Sequence, residues 1–204
     1  MKKTFLLLFF FSSIIVSAQE SYIKEIKNLR YKENLKFHDK KESPLTIEGL
    51  KIFKSLDFYE VDIKYKVIAT LVKEENPKIF EMPTTTKRKP LYIKYGTITF
   101  TIDGKVQELT MFQSKDFDRD PQYKDYLFLP FTDKTSGNGS YGGGRYVDVF
   151  ISDEKPDGTI LVDFNKAYNP YCAYNSKYSC PITPKENRIT VEMLTGVKAY
   201  NEKH

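Results

Sequence analysis

Ten side chains between Phe131 and Asn187 have types suited to chemistry: Asp133, Ser136, Tyr141, Arg145, Asp163, Asn165, Tyr168, Asn169, Glu186 and Asn187. Aspartate, asparagine and arginine supply directed hydrogen bonds, and tyrosine adds an apolar face with a polar tip. Together they suit recognition of a small polar ligand or a sugar ring. A second chemistry needs only carboxylates. Asp133 with Asp163, or Glu186 with either, could serve as acid and base or nucleophile of a hydrolase, set about 5 to 9.5 Å apart if the substrate is a glycoside. The same residues also suit architecture, because a buried arginine demands an anionic partner and asparagines cap loop backbone. The loops that carry them are rich in Gly, Asn, Tyr and Pro, which shape backbone rather than merely solvate it. No catalytic residue is assigned.

Other motifs fail on their own requirements. Gly137-Asn138-Gly139-Ser140-Tyr141-Gly142 spells a dinucleotide fingerprint, but a strand pattern follows it where the pyrophosphate needs a helix N-terminus. Asp116, Asp118 and Asp120 have calcium-loop spacing, yet Pro121 replaces the turn glycine and Leu127 the bidentate glutamate. The two histidines, His38 and His204, cannot build a multi-histidine zinc site, and Cys172 with Cys180 supplies half of a tetrahedral set. A serine triad would have to recruit His38 for Ser136 or Ser140 without a nucleophile elbow. No metal and no cofactor are expected.

The chain opens Met1-Lys2-Lys3, continues with an apolar run from Phe5 to Val16 and reaches Ser17-Ala18, the three parts of a secretory signal peptide. That run is short of the roughly 20 residues a spanning helix needs. Cleavage after Ala18 is expected to leave residues 19–204 as one exported domain, periplasmic or secreted, without a stable membrane anchor. It also removes Lys2 and Lys3, leaving 30 basic against 27 acidic side chains, too mild a balance for nucleic acid. The dense basic run Lys87-Arg88-Lys89 reads as a solvated loop. Cys172 and Cys180 enclose seven residues, and in an oxidising compartment they are expected to form a disulfide worth about 2.5 kcal/mol. Two packed thiols are the alternative. Oligomeric state is open.

These residues need a scaffold, and the pattern supplies a mainly β one. Apolar residues from Glu20 to Leu35 fall at helical spacing. Beyond Ser43-Pro44 the period changes to two. Strands are expected at Val61–Ala69, Leu91–Ile102, Val106–Phe112, Tyr126–Phe131, Arg145–Ile151, Thr159–Phe164 and Arg188–Val197, with a hairpin turn at Asp103-Gly104 and another tight turn at Asp157-Gly158. The expectation is a single antiparallel β domain, barrel-like or sandwich, with an N-terminal helix and long Gly/Tyr/Asn-rich loops.

Four strings resemble a bacterial family designated domain of unknown function 1684. They are F-x-D-K-T-S-G at 131–137, Y-G-G-G-R-Y at 141–146, D-F-N-x-A-Y-N-P-x-C-A at 163–173 and C-P-x-x-P-x-E-N-R at 180–188. Ser43-Pro44-Leu45, Gly49-Leu50 and Tyr65-Lys66-Val67 resemble its weaker N-terminal pattern. The family ending resembles A-G-E-K, whereas this chain has Thr195-Gly196-Val197-Lys198. The resemblance implies a β-rich fold and assigns no activity. Three functional classes therefore stand open: a ligand- or glycan-binding module, a carboxylate hydrolase, and a structural or interaction protein of the envelope, which would present an exposed apolar patch.

Overall fold

The computed structural model describes residues 4–116 and 120–200, with backbone alone for 4–18. Lys2 and Lys3 of the leader reading, Asp118 of the aspartate triplet and His204 lie outside the described residues.

Helix α1 (Thr4–His38) runs unbroken through Ala18. Beyond it, Tyr22, Ile26, Arg30, Asn34 and Phe37 recur every three or four residues and so share one face. Tyr22, Ile26 and Phe37 are buried. The polar members dock the helix instead of facing water. Arg30 Nη1 donates to the Tyr59 carbonyl at 2.7 Å, and Asn34 Oδ1 accepts the Leu56 N–H at 2.7 Å. A short helix α2 (Ile47–Ile52) follows, capped by Thr46 Oγ1 on the Gly49 N–H at 2.9 Å. Among the described residues no helix is long and apolar enough to cross a membrane.

Seven strands follow: β1 (Lys66–Lys73), β2 (Phe80–Glu81), β3 (Leu91–Ile102), β4 (Lys105–Ser114), β5 (Tyr126–Phe131), β6 (Arg145–Phe150) and β7 (Thr159–Asp163). They form one antiparallel sheet in the order β6-β5-β4-β3-β1-β7, with β2 beside β3. The sheet curls into a half-barrel, so the sandwich alternative falls away. Backbone past β7 reaches the opposite edge, where Tyr168 bridges Tyr146 of β6. The β3–β4 hairpin turns on two residues, Asp103 at φ 47° and Gly104 at φ 71°, the paired positive φ that a tight hairpin requires.

Register explains why the sheet is buried on both faces at one end. The β3–β4 pairing slips between Lys94 and Gly96, and a Cβ on Gly96 would sit 2.7 Å from the Val72 carbonyl. Past this bulge Ile98, Phe100 and Ile102 point into the concave core with Leu109, Met111, Leu127, Leu129, Val147 and Val162. Before it, Tyr92 joins Met82, Phe112, Phe128 and Tyr146 in an aromatic core on the other face. A third cluster, Phe37, Leu45, Phe53, Leu56, Tyr174 and Val197, fastens the helices to the chain end.

Two strand expectations are corrected. Residues 61–65 form a loop and a single helical turn capped by Asp62, so β1 starts at Lys66. Arg188–Val197 is no strand. Its first residues run parallel to the extension of β5, with the Thr132 N–H on the Asn187 carbonyl at 2.9 Å and the Ile189 N–H on the Thr132 carbonyl at 2.8 Å. Its later carbonyls are consumed by Arg145 instead of a ladder.

Candidate functional site

Arg145 is the most deeply buried charge in the described chain. Its side chain and that of Asp133 are both wholly buried, with Nη2 donating to Asp133 Oδ2 at 2.8 Å. Nη2 also donates to the Met193 carbonyl at 2.9 Å, and Nη1 to the carbonyls of Thr195 and of Val197, the latter at 3.2 Å. Asp133 Oδ1 accepts the N–H groups of Thr135 (2.7 Å) and Met193 (3.2 Å). One ion pair thus organises the irregular C-terminal segment, taking up the Met193, Thr195 and Val197 carbonyls.

Thr195 passes this network to a second one. Its hydroxyl donates to Asn165 Oδ1 at 2.9 Å, and that oxygen also accepts the Asp62 N–H at 3.1 Å. Asn165 Nδ2 donates to the Asp62 carbonyl at 2.8 Å and to Asp163 Oδ1 at 3.3 Å. Asp163 Oδ1 further accepts the Tyr22 hydroxyl at 2.8 Å, so α1 lies directly over this carboxylate. Burial, then the hydrogen bond to Asp163, push the Tyr22 hydroxyl pKa well above its ordinary value. Asp163 Oδ2 has no hydrogen-bond donor, its nearest cation being Lys166 Nζ at 3.9 Å.

The remaining residues go to separate places. Asn187 replaces missing ladder bonds where β4 and β5 diverge. It accepts the Thr110 N–H at 3.0 Å and donates to the carbonyls of Thr110 and Pro130, each at 2.7 Å. Asn169 Nδ2 ties the Lys198 carbonyl at 2.9 Å to this end of the molecule. Ser136 Oγ accepts the Asp133 N–H at 3.0 Å inside the glycine turn. That turn opens into β6, so the fingerprint glycines precede a strand. Tyr168 lies on the opposite face of the sheet, where its hydroxyl and that of Tyr126 converge on Asp148 Oδ1 at 2.6 and 2.9 Å. Glu186 is exposed and pairs with Lys94 at 3.6 Å. Asp133, Arg145, Asn165 and Asp163 are therefore contiguous, but as a buried lattice under α1 and the chain end. Sequence reading missed Tyr22 and Thr195, whose spacing from the loops hides them.

The expected disulfide is corrected. Cys172 and Cys180 are free thiols, with the Cys172 N–H donating to Cys180 Sγ at 3.2 Å. Thr85 and Arg88, just before and within the exposed basic run, hold the loop without a bridge. The Thr85 N–H donates to the Cys180 carbonyl at 2.9 Å, and the Thr85 hydroxyl accepts the Cys180 N–H at 3.1 Å. Arg88 donates to the Ser179 hydroxyl at 3.2 Å and to the Ser179 carbonyl at 3.0 Å. Tyr141 stands beside the thiols. Hydrogen bonds from Cys180, Tyr141 and Thr85 outweigh burial and draw the Cys172 pKa down to about 6, while sharing that proton and burial push Cys180 up.

Open space lies elsewhere. A cavity of about 380 Å³ is floored by Phe80, Met82 and Phe112 and walled by Pro83 and the 182–186 segment. Phe80 and Phe112 meet edge to face at 6.0 Å. Lys94, Lys185 and Glu186 stand at its mouth. A second cavity of about 280 Å³ lies between residues 52–57 and 197–200. Among the described residues no group of three or more His, Cys, Asp or Glu could hold a metal ion.

The profile of a protein family of unknown function, DUF1684, matches residues 51–198. The chain belongs to that family. A solved relative, the solution NMR structure of the uncharacterized protein from gene locus rrnAC0354 of Haloarcula marismortui, is 32% identical with a TM-score of 0.67, over 89% of this chain and 96% of that one. No curated protein matches this DUF1684 chain.

Proposed function

We propose that this protein is an exported binding module for a small molecule with a flat apolar body and one acidic group, taken up where the 182–186 segment crosses β2, β3 and β4. One observation carries the reading: the larger cavity has an aromatic and methionine floor and two lysines against one glutamate at its mouth. Its volume falls within the usual range for ligand sites, about 300 to 1,000 Å³, and an apolar lining with a few polar groups is their usual character. The net positive rim favours a carboxylate over a neutral sugar. The carboxylate-hydrolase reading draws no comparable support, since Asp133 spends both oxygens on protein donors and Asp163 is buried beneath α1 with Oδ1 bonded to Tyr22 and Asn165. Export rests on the leader pattern of residues 1–18 alone.

A fragment screen by thermal shift tests this. The panel should contain aryl and alkyl carboxylic acids, their amides, and mono- and disaccharides. Acids are expected to stabilise the protein, amides less and sugars not at all. Ile182→Trp, at an exposed wall position, should fill the cavity and abolish the effect without unfolding the domain. Stabilisation by sugars alone, or acid binding undiminished in Ile182→Trp, would refute the assignment.

A further inference from the structure

One ion pair spans the mouth of the larger cavity. Lys94 of β3 stands directly opposite Phe112 of β4, so the two side chains share one face with Cβ atoms about 5 Å apart. The lysine therefore rises beside the aromatic floor. Its Nζ lies 3.6 Å from Glu186 Oε1 on the facing wall, and each side chain is about half exposed. Lys185, the other cation at the mouth, is an exposed neighbour of Glu186 on that wall. We infer that the Lys94–Glu186 pair is a latch for acidic ligands: Glu186 occupies the ammonium that the ligand's carboxylate needs, and binding exchanges one carboxylate for the other. This rests on the binding reading given above, and it names Lys94, rather than Lys185, as the residue that holds the acid.

The exchange asks little of the backbone. The Ile182 N–H donates to the Pro83 carbonyl at 2.8 Å, and the Thr183 hydroxyl to the Gly143 carbonyl at 3.0 Å. On the other side of Glu186, the Asn187 N–H closes on the Pro184 carbonyl at 3.0 Å, while the Asn187 side chain is locked to β4 and β5. The wall is thus pinned at both ends, and only the glutamate side chain has to swing into water. Its contact with Lys94 is weak, as exposed pairs are, but its tether keeps it at high local concentration, so it competes. A ligand acid arrives with an apolar body for Phe80 and Met82. That burial is an attraction the glutamate lacks, and it drives the displacement.

Two properties follow from an exchange. A neutral ligand with the same body leaves the pair intact, so Glu186 does not compete with it. An acid replaces one ion pair by another, so screening weakens both sides and largely cancels. Without Glu186 the acid would form a new pair, and its affinity would then fall as salt rises. The latch therefore lowers affinity for acids and buffers it against ionic strength, which suits the exported setting proposed above.

Isothermal titration calorimetry with 3-phenylpropionate and with its neutral amide, at low ionic strength and at about 0.15 M, tests the latch. At low salt Glu186→Gln should bind the acid roughly two- to fivefold more tightly than wild type, the range that loss of an exposed pair permits. That gain should shrink at the higher salt, and the amide should bind both proteins alike. Lys94→Met should weaken the acid by a similar factor, and adding Glu186→Gln to it should change affinity by less than about twofold. No tightening of the acid in Glu186→Gln, equal tightening of acid and amide, or the full gain retained beside Lys94→Met would overturn the latch while leaving the cavity as the binding site. Absence of acid binding to wild type and Glu186→Gln alike would overturn the binding reading and the latch together.

Discussion

Arg145 holds four partners at once, so its removal acts on several segments together. Arg145→Met strands the Asp133 carboxylate and three carbonyls in a site closed to water. Breaking a buried pair by removing one partner costs about 3–5 kcal/mol, and denaturant titration should show a loss of that size. Replacing both partners, as Asp133→Leu with Arg145→Met, should recover part of it, because no uncompensated charge remains. Asn187→Ala offers a neutral comparison. It orphans the Thr110 N–H and the carbonyls of Thr110 and Pro130, and at about 1–3 kcal/mol for each such group it should cost at least ~3 kcal/mol. At this scale the sequence was informative about which residues matter. It could not say that they face inward, because an aspartate bound to a ligand and one bound to a buried arginine look the same in a string. That difference is made by Met193, Thr195 and Val197, about 50 residues further along the chain.

Between elements, α1 is joined to the half-barrel by few polar contacts, and Tyr22 makes the most buried of them. Tyr22→Phe keeps the packing but deletes the donor to Asp163 Oδ1, leaving a buried carboxylate whose other oxygen already lacks a donor. The expected cost is about 1–3 kcal/mol, with faster amide hydrogen exchange over residues 20–38 than in β3 and β4. Equal protection in both regions would show that the helix is not held this way. Helix, hairpin and most strands were legible because their hydrophobic periods are clean. Val61–Tyr65 was misread because Val61, Ile63 and Tyr65 alternate correctly, yet Asp62 caps a turn there. Residues 188–197 misled for a similar reason: their apolar residues do enter the core, but their backbone answers to Arg145. Strand β2 is two residues long, too short for any period to register.

For the whole molecule, buried tyrosines set an alkaline limit. Tyr22, Tyr92, Tyr146 and Tyr174 are all buried, and desolvation leads the causes that raise each hydroxyl pKa. A group whose pKa is higher when folded contributes its stability in full below the unfolded value, near 10 for tyrosine, and loses it as pH rises beyond. Unfolding free energy should therefore be flat in this respect up to about pH 9.5. It should then fall by up to about 1.4 kcal/mol per pH unit for each such tyrosine. Conversely, stability unchanged between pH 9 and 11 would mean these hydroxyls ionise freely in the fold.

The molecule divides its work between a polar lattice that fastens the loops and an apolar cavity left open beside them. Mapping amide chemical shifts while titrating 3-phenylpropionate, a flat ring with a short acidic tail, addresses that division directly. The shifts should gather on Phe80, Met82, Lys94, Phe112 and residues 182–186, leaving Asp133, Arg145, Asp163 and Asn165 still. Shifts centred on those four residues would contradict the account and return the binding site to the lattice.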